Sequence, residues 1–185
     1  MPRPESGVVD RGNLEGLFRK NGFDKFAWID PKQIEVAQWV RMKCTFGCSG
    51  YGKSGCCPPQ TPSVNDCRRF FDEYTSAVVF HFPVQFDEPK DRHAWSKKAT
   101  LDLVELERQV FLAGHERAFV MSHGCSLCRE CETERVNCQK PELARPSAEA
   151  MAVDVYTTAR KLGFPIEVKT DPCQAMDRYS ILMVK

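Results

Sequence analysis

The sequence predicts an α/β or α+β fold, in which a mixed sheet of about four strands is covered by helices and carries two cysteine-rich metal-binding loops. Stretches with helical periodicity alternate with short apolar stretches typical of strands along the 185 residues. A chain of this length can bury one sizeable core, so residues 1–185 are predicted to form a single metal-binding domain. Of the ten cysteines, four lie in residues 44–57 and four in residues 125–138, here called the first and second cysteine groups.

The elements around the first cysteine group are short. The segment "NLEGLFRKNGF" suits a helix, whereas "IEVAQWVRMK" fits either a helix or an alternating strand. After the group, Thr61 is predicted to cap a helix with Pro62 at its first position, and this helix should end near Tyr74.

The middle of the chain predicts two strands separated by a long helix. Residues 77–82, "AVVFHF", are typical of a buried strand. A helix follows over residues 95–113, with an apolar stripe at helical spacing and Gly114 as its C′ residue. Residues 117–123, "RAFVMSH", form a second strand that leads directly into the second cysteine group.

The last part of the chain predicts one helix and two strands. Ser147 is expected to cap a helix that ends at Gly163, because apolar residues recur between them at helical spacing. The segments "PIEVKT" and "YSILMVK" are then predicted as strands.

Charge and composition favour a cytoplasmic protein that binds neither nucleic acid nor a membrane. The 26 basic and 25 acidic residues nearly cancel, which gives no basic excess for nucleic acid. The segment "MPRPESGVVDRGNLEG" lacks the apolar core of a signal peptide, and the longest apolar run, "SAVVFHFPV", is too short to span a bilayer. Because cytoplasmic thiols stay reduced, clustered cysteines there indicate metal binding or catalysis more than disulfides.

The stretch "GCSGYGKSGCCPPQ" fits two different patterns. Residues 47–54 read G-x-x-x-x-G-K-S, the pattern of a phosphate-binding P-loop. A P-loop runs from a buried strand into a helix, but Pro58, Pro59 and Pro62 prevent a helix from starting at Lys53. The sequence therefore favours metal binding by the cysteines over nucleotide binding.

The second cysteine group has the spacing C-x2-C-x2-C-x6-C. Three cysteines at successive spacings of three, with a fourth farther along, suit a cubane cluster. A zinc site more often pairs its ligands as two separated C-x2-C motifs. Iron–sulfur ligation is therefore favoured over zinc, and the predicted ligands are Cys125, Cys128, Cys131 and Cys138.

The first cysteine group offers three predicted ligands, Cys44, Cys48 and Cys57. Adjacent cysteines rarely bind the same ion, and Cys57 is preferred to Cys56 because it directly precedes a proline. A cluster held by three cysteines leaves one iron open to substrate or to an outside ligand. The fourth ligand could be Cys56, Cys173 or a histidine, or there could be none.

The two motifs together resemble those of an uncharacterised family of predicted metal-binding proteins, filed as a domain of unknown function and found in anaerobic and methanogenic microbes. The resemblance extends from about residue 25 onward and implies metal binding without indicating a reaction. In the first group it covers Cys44, Cys48, Tyr51, Gly52, Cys57, Pro58 and Pro59. In the second it covers Cys125, Cys128, Cys131, Cys138, Arg145, Pro146, Ser147, Glu149 and Ala150.

Three functions are compatible with these residues. The favoured one is a protein with one or two [4Fe-4S] clusters that transfers electrons to a redox partner protein or activates a partner enzyme. The second is an enzyme whose first-group cluster keeps an open iron for a small-molecule ligand, although no substrate is indicated. The third is an interaction module stabilised by zinc, without redox chemistry.

Overall fold

The computed structural model describes residues 9–171 and 173–185. Four strands form one sheet in the order β1-β2-β4-β3, and every neighbouring pair is antiparallel. The strands are β1 (Phe26–Ile29), β2 (Ala77–Val84), β3 (Phe119–Met121) and β4 (Met176–Met183). The predicted class, a sheet of about four strands covered by helices, is confirmed, with antiparallel pairing where a mixed sheet was expected.

Five α-helices accompany the sheet among the described residues. They are α1 (Arg11–Lys20), α2 (Gln38–Gly47), α3 (Val64–Asp72), α4 (Asp91–Leu112) and α5 (Val155–Lys161). The segment that fitted a helix or a strand is therefore mostly the helix α2. The long helix α4 begins four residues earlier than residue 95, and Gly114 follows it with a φ of 100°, as expected of a C′ glycine.

The sheet separates two apolar clusters, because successive side chains of a strand point to opposite faces. Along β2, Val79 belongs to one cluster, whereas its neighbours Val78 and Phe80 belong to the other. The first cluster includes residues of α3 and α5, and the second is built largely on α1 and α4. Helices therefore cover both faces of the sheet, and the cysteines of the two groups lie outside these two clusters.

The cap predicted for α3 was wrong by two residues. The N-cap is Ser63, whose Oγ accepts a hydrogen bond from the Asp66 amide at 3.2 Å. Pro62 therefore precedes the cap, and Thr61 has no capping role. Serine is as effective a cap as threonine, so local sequence did not distinguish the two positions.

The single helix predicted from Ser147 to Gly163 is interrupted at Ala152, which has a left-handed φ of 62°. A short 3-10 turn precedes it, and α5 starts afresh with Asp154 as its N-cap. The backbone of Glu35, Val36 and Ala37 pairs with residues 152–154, with Ala37 N donating to Ala152 O at 2.9 Å. This long-range pairing overrides the helical periodicity.

Two further strand predictions need correction. The segment "PIEVKT" contains no strand, and the final strand begins at Met176, ahead of "YSILMVK". β1 was not predicted. Its four residues are too few to show a clear strand pattern, and the charged residues Asp24 and Lys25 directly before them interrupt the apolar stretch. In the described part of the chain, no helix has the length and apolar character needed to cross a bilayer.

Candidate metal centre

Two loops carry the cysteine groups, and they pack against each other. The first connects α2 to α3 and the second connects β3 to α5. Gly55 in the first loop lies so close to the second that an added Cβ would stand 3.2 Å from Arg135 Cα. The Arg135 amide also donates a hydrogen bond to the side chain of Gln60 at 3.2 Å. Cysteines far apart in sequence are thereby brought to one region.

The first loop does not form a P-loop. Gly47, which would open the phosphate-binding pattern, is the last residue of α2, and the next α-helix begins only at Val64. A phosphate-binding loop requires a strand before it and a helix directly after it. Neither requirement is met, so this loop does not bind a nucleotide as a P-loop, and metal binding by its cysteines remains the favoured interpretation.

The four predicted ligands of the second cysteine group line one small cavity. The cavity has a volume of about 30 Å³ and is bordered by Cys56, Cys125, Cys128, Cys131 and Cys138. Leu127 and Ala144 pack against these sulfurs on the protein side. Because Cys131 is exposed, the cavity lies close to the protein surface.

Cys56 joins the second cysteine group, a role that the sequence did not predict. It is only 5% exposed and is a neighbour of Cys125. The neighbouring Cys56 thiol, the Leu127 backbone amide and the charges of Arg135 and Lys140 together lower the pKa of Cys125. Sequence spacing suggested that one of Cys56 and Cys57 is spare, but spacing does not indicate where two adjacent side chains point.

The three predicted ligands of the first cysteine group are neighbours. Cys44 lies in the last turn of α2, and Cys48 directly follows that helix. Burial raises the pKa of Cys57, and the nearby Cys48, Cys44 and Cys125 thiols contribute to the increase. The Gly50 amide donates to Cys48 Sγ at 3.4 Å, as expected of a loop that points amides at sulfur.

The donor chemistry of both groups fits a metal bound by thiolates. Thiolate sulfur is the ligand that zinc sites and iron–sulfur clusters share. None of the ten cysteines is in a disulfide. Within residues 9–171 and 173–185, however, no three histidine, cysteine, aspartate or glutamate side chains stand close enough to hold a metal ion as they are placed.

The two isolated cysteines stay outside both groups. Cys67 is fully buried in α3 and belongs to an apolar cluster, so it is a core residue. Cys173 lies near the carbonyl of Asp87 at 3.5 Å and borders neither the small cavity nor the larger one described next.

A large cavity of about 650 Å³ lies beside the first cysteine group, and Cys44 and Cys48 form part of its wall. Its other walls come from α2, β4, the first turn of α4 and the segment before β4. Arg92 and Arg178 line it, although they are far apart in sequence and belong to no motif. Sequence reasoning missed this cavity, because only the fold brings its residues together.

His123 borders the large cavity and is held by aromatic side chains. Its ring lies 4.7 Å from those of Phe82 and Trp95, and Nε2 is 3.2 Å from Ser180 Oγ. Nδ1 is buried with no hydrogen-bond partner in the described residues. Burial, reinforced by the nearby Arg178, lowers the pKa of His123 to about 3, so the ring is neutral at pH 7.

Arg145 and Glu149, two residues of the recognised motif, have different environments. Arg145 Nε donates to Glu107 Oε2 at 3.0 Å, and this ion pair is largely buried. Glu149 lines the large cavity and is close to Cys44. Arg145 therefore has a structural role, whereas Glu149 faces the candidate site.

Two cysteine-bearing loops on a helix-covered sheet are the features that this chain brings to the comparison with known proteins. The family model described as "Predicted metal-binding protein (DUF2284)" matches residues 27–184. The chain therefore belongs to this family, whose function is unknown, and the resemblance drawn from the cysteine motifs is confirmed. Comparison with curated proteins and with solved structures gave no match.

Proposed function

We propose that this protein binds [4Fe-4S] clusters and uses them to transfer electrons to a partner protein or to activate it. The observation that carries the proposal is the gathering of five cysteines around one small cavity, four of them with cluster-type spacing. Cys125, Cys128, Cys131 and Cys138 would hold one cluster. When bound, such a cluster supplies a one-electron redox couple.

The surroundings of the second cysteine group suit a negatively charged cluster. Arg135 and Lys140 both lie near Cys125 and favour its thiolate form. Leu127 and Ala144 exclude water from one side of the sulfurs, and burial of this kind tunes the reduction potential. The exposure of Cys131 suits electron exchange with another protein.

The first cysteine group would hold a second metal centre through Cys44, Cys48 and Cys57. Phe46 lies between the first two of these cysteines in sequence and is 83% exposed. Trp39 and Met42, at helical spacing before it on α2, are also exposed, and a contiguous exposed apolar patch is typical of a surface that contacts a partner. This feature supports a partner protein beside the first group.

The proposal is tested by measuring iron, zinc and acid-labile sulfide in protein purified without oxygen, together with its visible spectrum. Roughly four irons and four sulfides per site, with a visible absorbance that bleaches on reduction, are expected. Cys128→Ser should lower the iron content, whereas the matched control Cys173→Ser should not. Stoichiometric zinc without sulfide would overturn the proposal and favour the zinc-stabilised interaction module.

A second function is favoured by the large cavity. Three cysteines leave one coordination position of a cluster without a protein ligand, and Cys44 and Cys48 border a cavity large enough for a small molecule. An enzyme that acts on a substrate at this position is therefore the alternative. Perturbation of the reduced protein's spectrum by a small ligand, and its loss in Cys44→Ser, would support the enzyme over the electron carrier.

A further inference from the structure

The large cavity has the size and lining of a small-molecule site. Its volume of about 650 Å³ falls within the range of roughly 300–1,000 Å³ that such sites occupy. Val153, Ile166 and Tyr179 supply apolar surface, and charged side chains line the same cavity. An apolar wall with a few convergent charged groups is the usual composition of a site for an organic ligand.

Two arginines line this cavity and have no partner among the residues that the structure describes. Arg178 projects from β4 and is half-buried, and Arg92 lies in the first turn of α4. In the described part of the chain, neither guanidinium makes a hydrogen bond or an ion pair. Burial and the charge of Arg92 both lower the pKa of Arg178, so the two cations are close enough to repel each other. An anion between them would offset this repulsion.

The acidic residues of the cavity do not supply that anion. Four of the five already have partners: Asp154 caps α5, Asp177 pairs with His81, Glu167 pairs with Lys169 and Asp171 accepts from the Cys173 amide. Glu149 is the fifth, and it only partly offsets the charge on Arg178. Lys43, whose Nζ lies 5.3 Å from the centre of the Trp39 ring, adds a third cation, and it has no acidic partner within residues 9–171 and 173–185.

We propose that the large cavity binds a small organic anion, with its carboxylate or phosphate held between Arg92 and Arg178 and its apolar part against Val153, Ile166 and Tyr179. Guanidinium groups bind both kinds of oxyanion through paired hydrogen bonds. The anion would lie beside Cys44 and Cys48. Coordination of a metal centre by this anion depends on the proposed function, whereas binding of the anion in the cavity does not depend on it.

The test is calorimetric titration of the purified protein with phenyl phosphate, benzoate and the uncharged benzyl alcohol. At least one anionic probe should bind, and benzyl alcohol should not; comparison of the two anions distinguishes a phosphate site from a carboxylate site. Arg178→Met and Arg92→Met should each weaken binding by about tenfold. The matched control is Arg108→Met, because Arg108 also lies on α4 but is exposed and pairs with Glu105 at 3.3 Å.

A structural explanation of the arginine variants can be separated from loss of anion binding. Glu149→Gln should tighten binding of the anionic probe, because it removes a negative charge near Arg178, and damage to the fold would not have this effect. Arg92 is exposed, so Arg92→Met should fold even if Arg178→Met does not. Equal binding of benzyl alcohol and the anions, or wild-type affinity in Arg92→Met, would overturn the proposal.

Metal and sulfide content measured on the same samples keeps this inference distinct from the proposed function. Anion binding in a preparation that lacks iron and sulfide would leave the anion site standing and count against the cluster. A full complement of iron and sulfide with no binding of either anion would have the opposite meaning, because the cluster proposal would survive and the anion site would fail.

Discussion

Glu107 of α4 contacts the chain on both sides of the second cysteine group, and this gives a sharp stability prediction. Its Oε2 accepts a hydrogen bond from the Val120 amide at 2.6 Å, before that group, and from Arg145 Nε at 3.0 Å, after it. The ion pair is nearly buried, with side-chain exposures of 16% for Arg145 and 12% for Glu107. Glu107→Ala would leave the Val120 amide and two of the three guanidinium nitrogens of Arg145 without their acceptor, and the charge of Arg145 without its counterion.

The expected loss in the free energy of unfolding is about 3 kcal/mol, the lower end of the range for breaking a buried ion pair, since some solvent reaches this one. For a chain of this size, that corresponds to a fall in Tm of about 6–12 °C. Thermal unfolding followed by circular dichroism in the presence of a chelator measures it. Metal content measured before the chelator is added should fall as well, because the ends of the loop are no longer fixed.

The matched control is Glu105→Ala, two residues away on the same helix. Glu105 pairs with Arg108 at 3.3 Å, but both side chains are more than half exposed. Such surface pairs contribute about 0–1 kcal/mol, so the Tm should change by no more than about 4 °C. Equal Tm values for the two variants would refute the argument that Glu107 fastens the loop.

Two further predictions concern His123 and Gly55. Because the pKa of folded His123 is lowered to about 3, while the unfolded ring titrates near 6.5, its contribution to stability is complete above pH 6.5 and decreases as the pH falls toward 3. Between pH 7.5 and pH 5 the free energy of unfolding should fall by about 2 kcal/mol in denaturant titrations. A His123→Asn variant should lose less over the same interval. Equal losses would contradict the attribution of this pH dependence to His123. Gly55→Ala should destabilise the protein by about 1–3 kcal/mol and reduce its metal content, because the added methyl group would press on the backbone of Arg135. Gly47→Ala is its control, since nothing lies within 4 Å of a Cβ at that position, and similar losses in both variants would exclude tight packing of the loops as the cause.

The elements that sequence predicted well are those determined by local pattern. α4 is long enough for the helical spacing of its apolar residues to be recognised in the sequence. Gly114 ends it because glycine readily adopts the positive φ that is found there. β2 is a continuous apolar run, which is typical of a strand with both faces buried. In these cases the residues within one element carry the information.

The features that sequence could not predict depend on distant partners. The break at Ala152 is imposed by pairing with residues 35–37, more than one hundred positions earlier. The placement of Cys56 beside Cys125 depends on how two loops pack, and the arginine pair depends on the meeting of α4 with β4. Motif spacing identified the candidate ligands, but it contained no information on which thiols meet or on the cavity beside them.

Cys56 and Cys57 have a consequence for how the two cysteine groups respond to each other. Cys56 borders the cavity of the second group, while its neighbour in sequence lies near Cys48 and Cys44. A single peptide unit, with Cα atoms about 3.8 Å apart, therefore joins the two groups covalently. Because that unit is planar, fixing the backbone of one of these residues narrows the range of backbone positions open to the other. Metal binding at either cysteine group should therefore order backbone that carries a thiol of the other group. We expect the group that binds metal later to bind it more readily than it would alone.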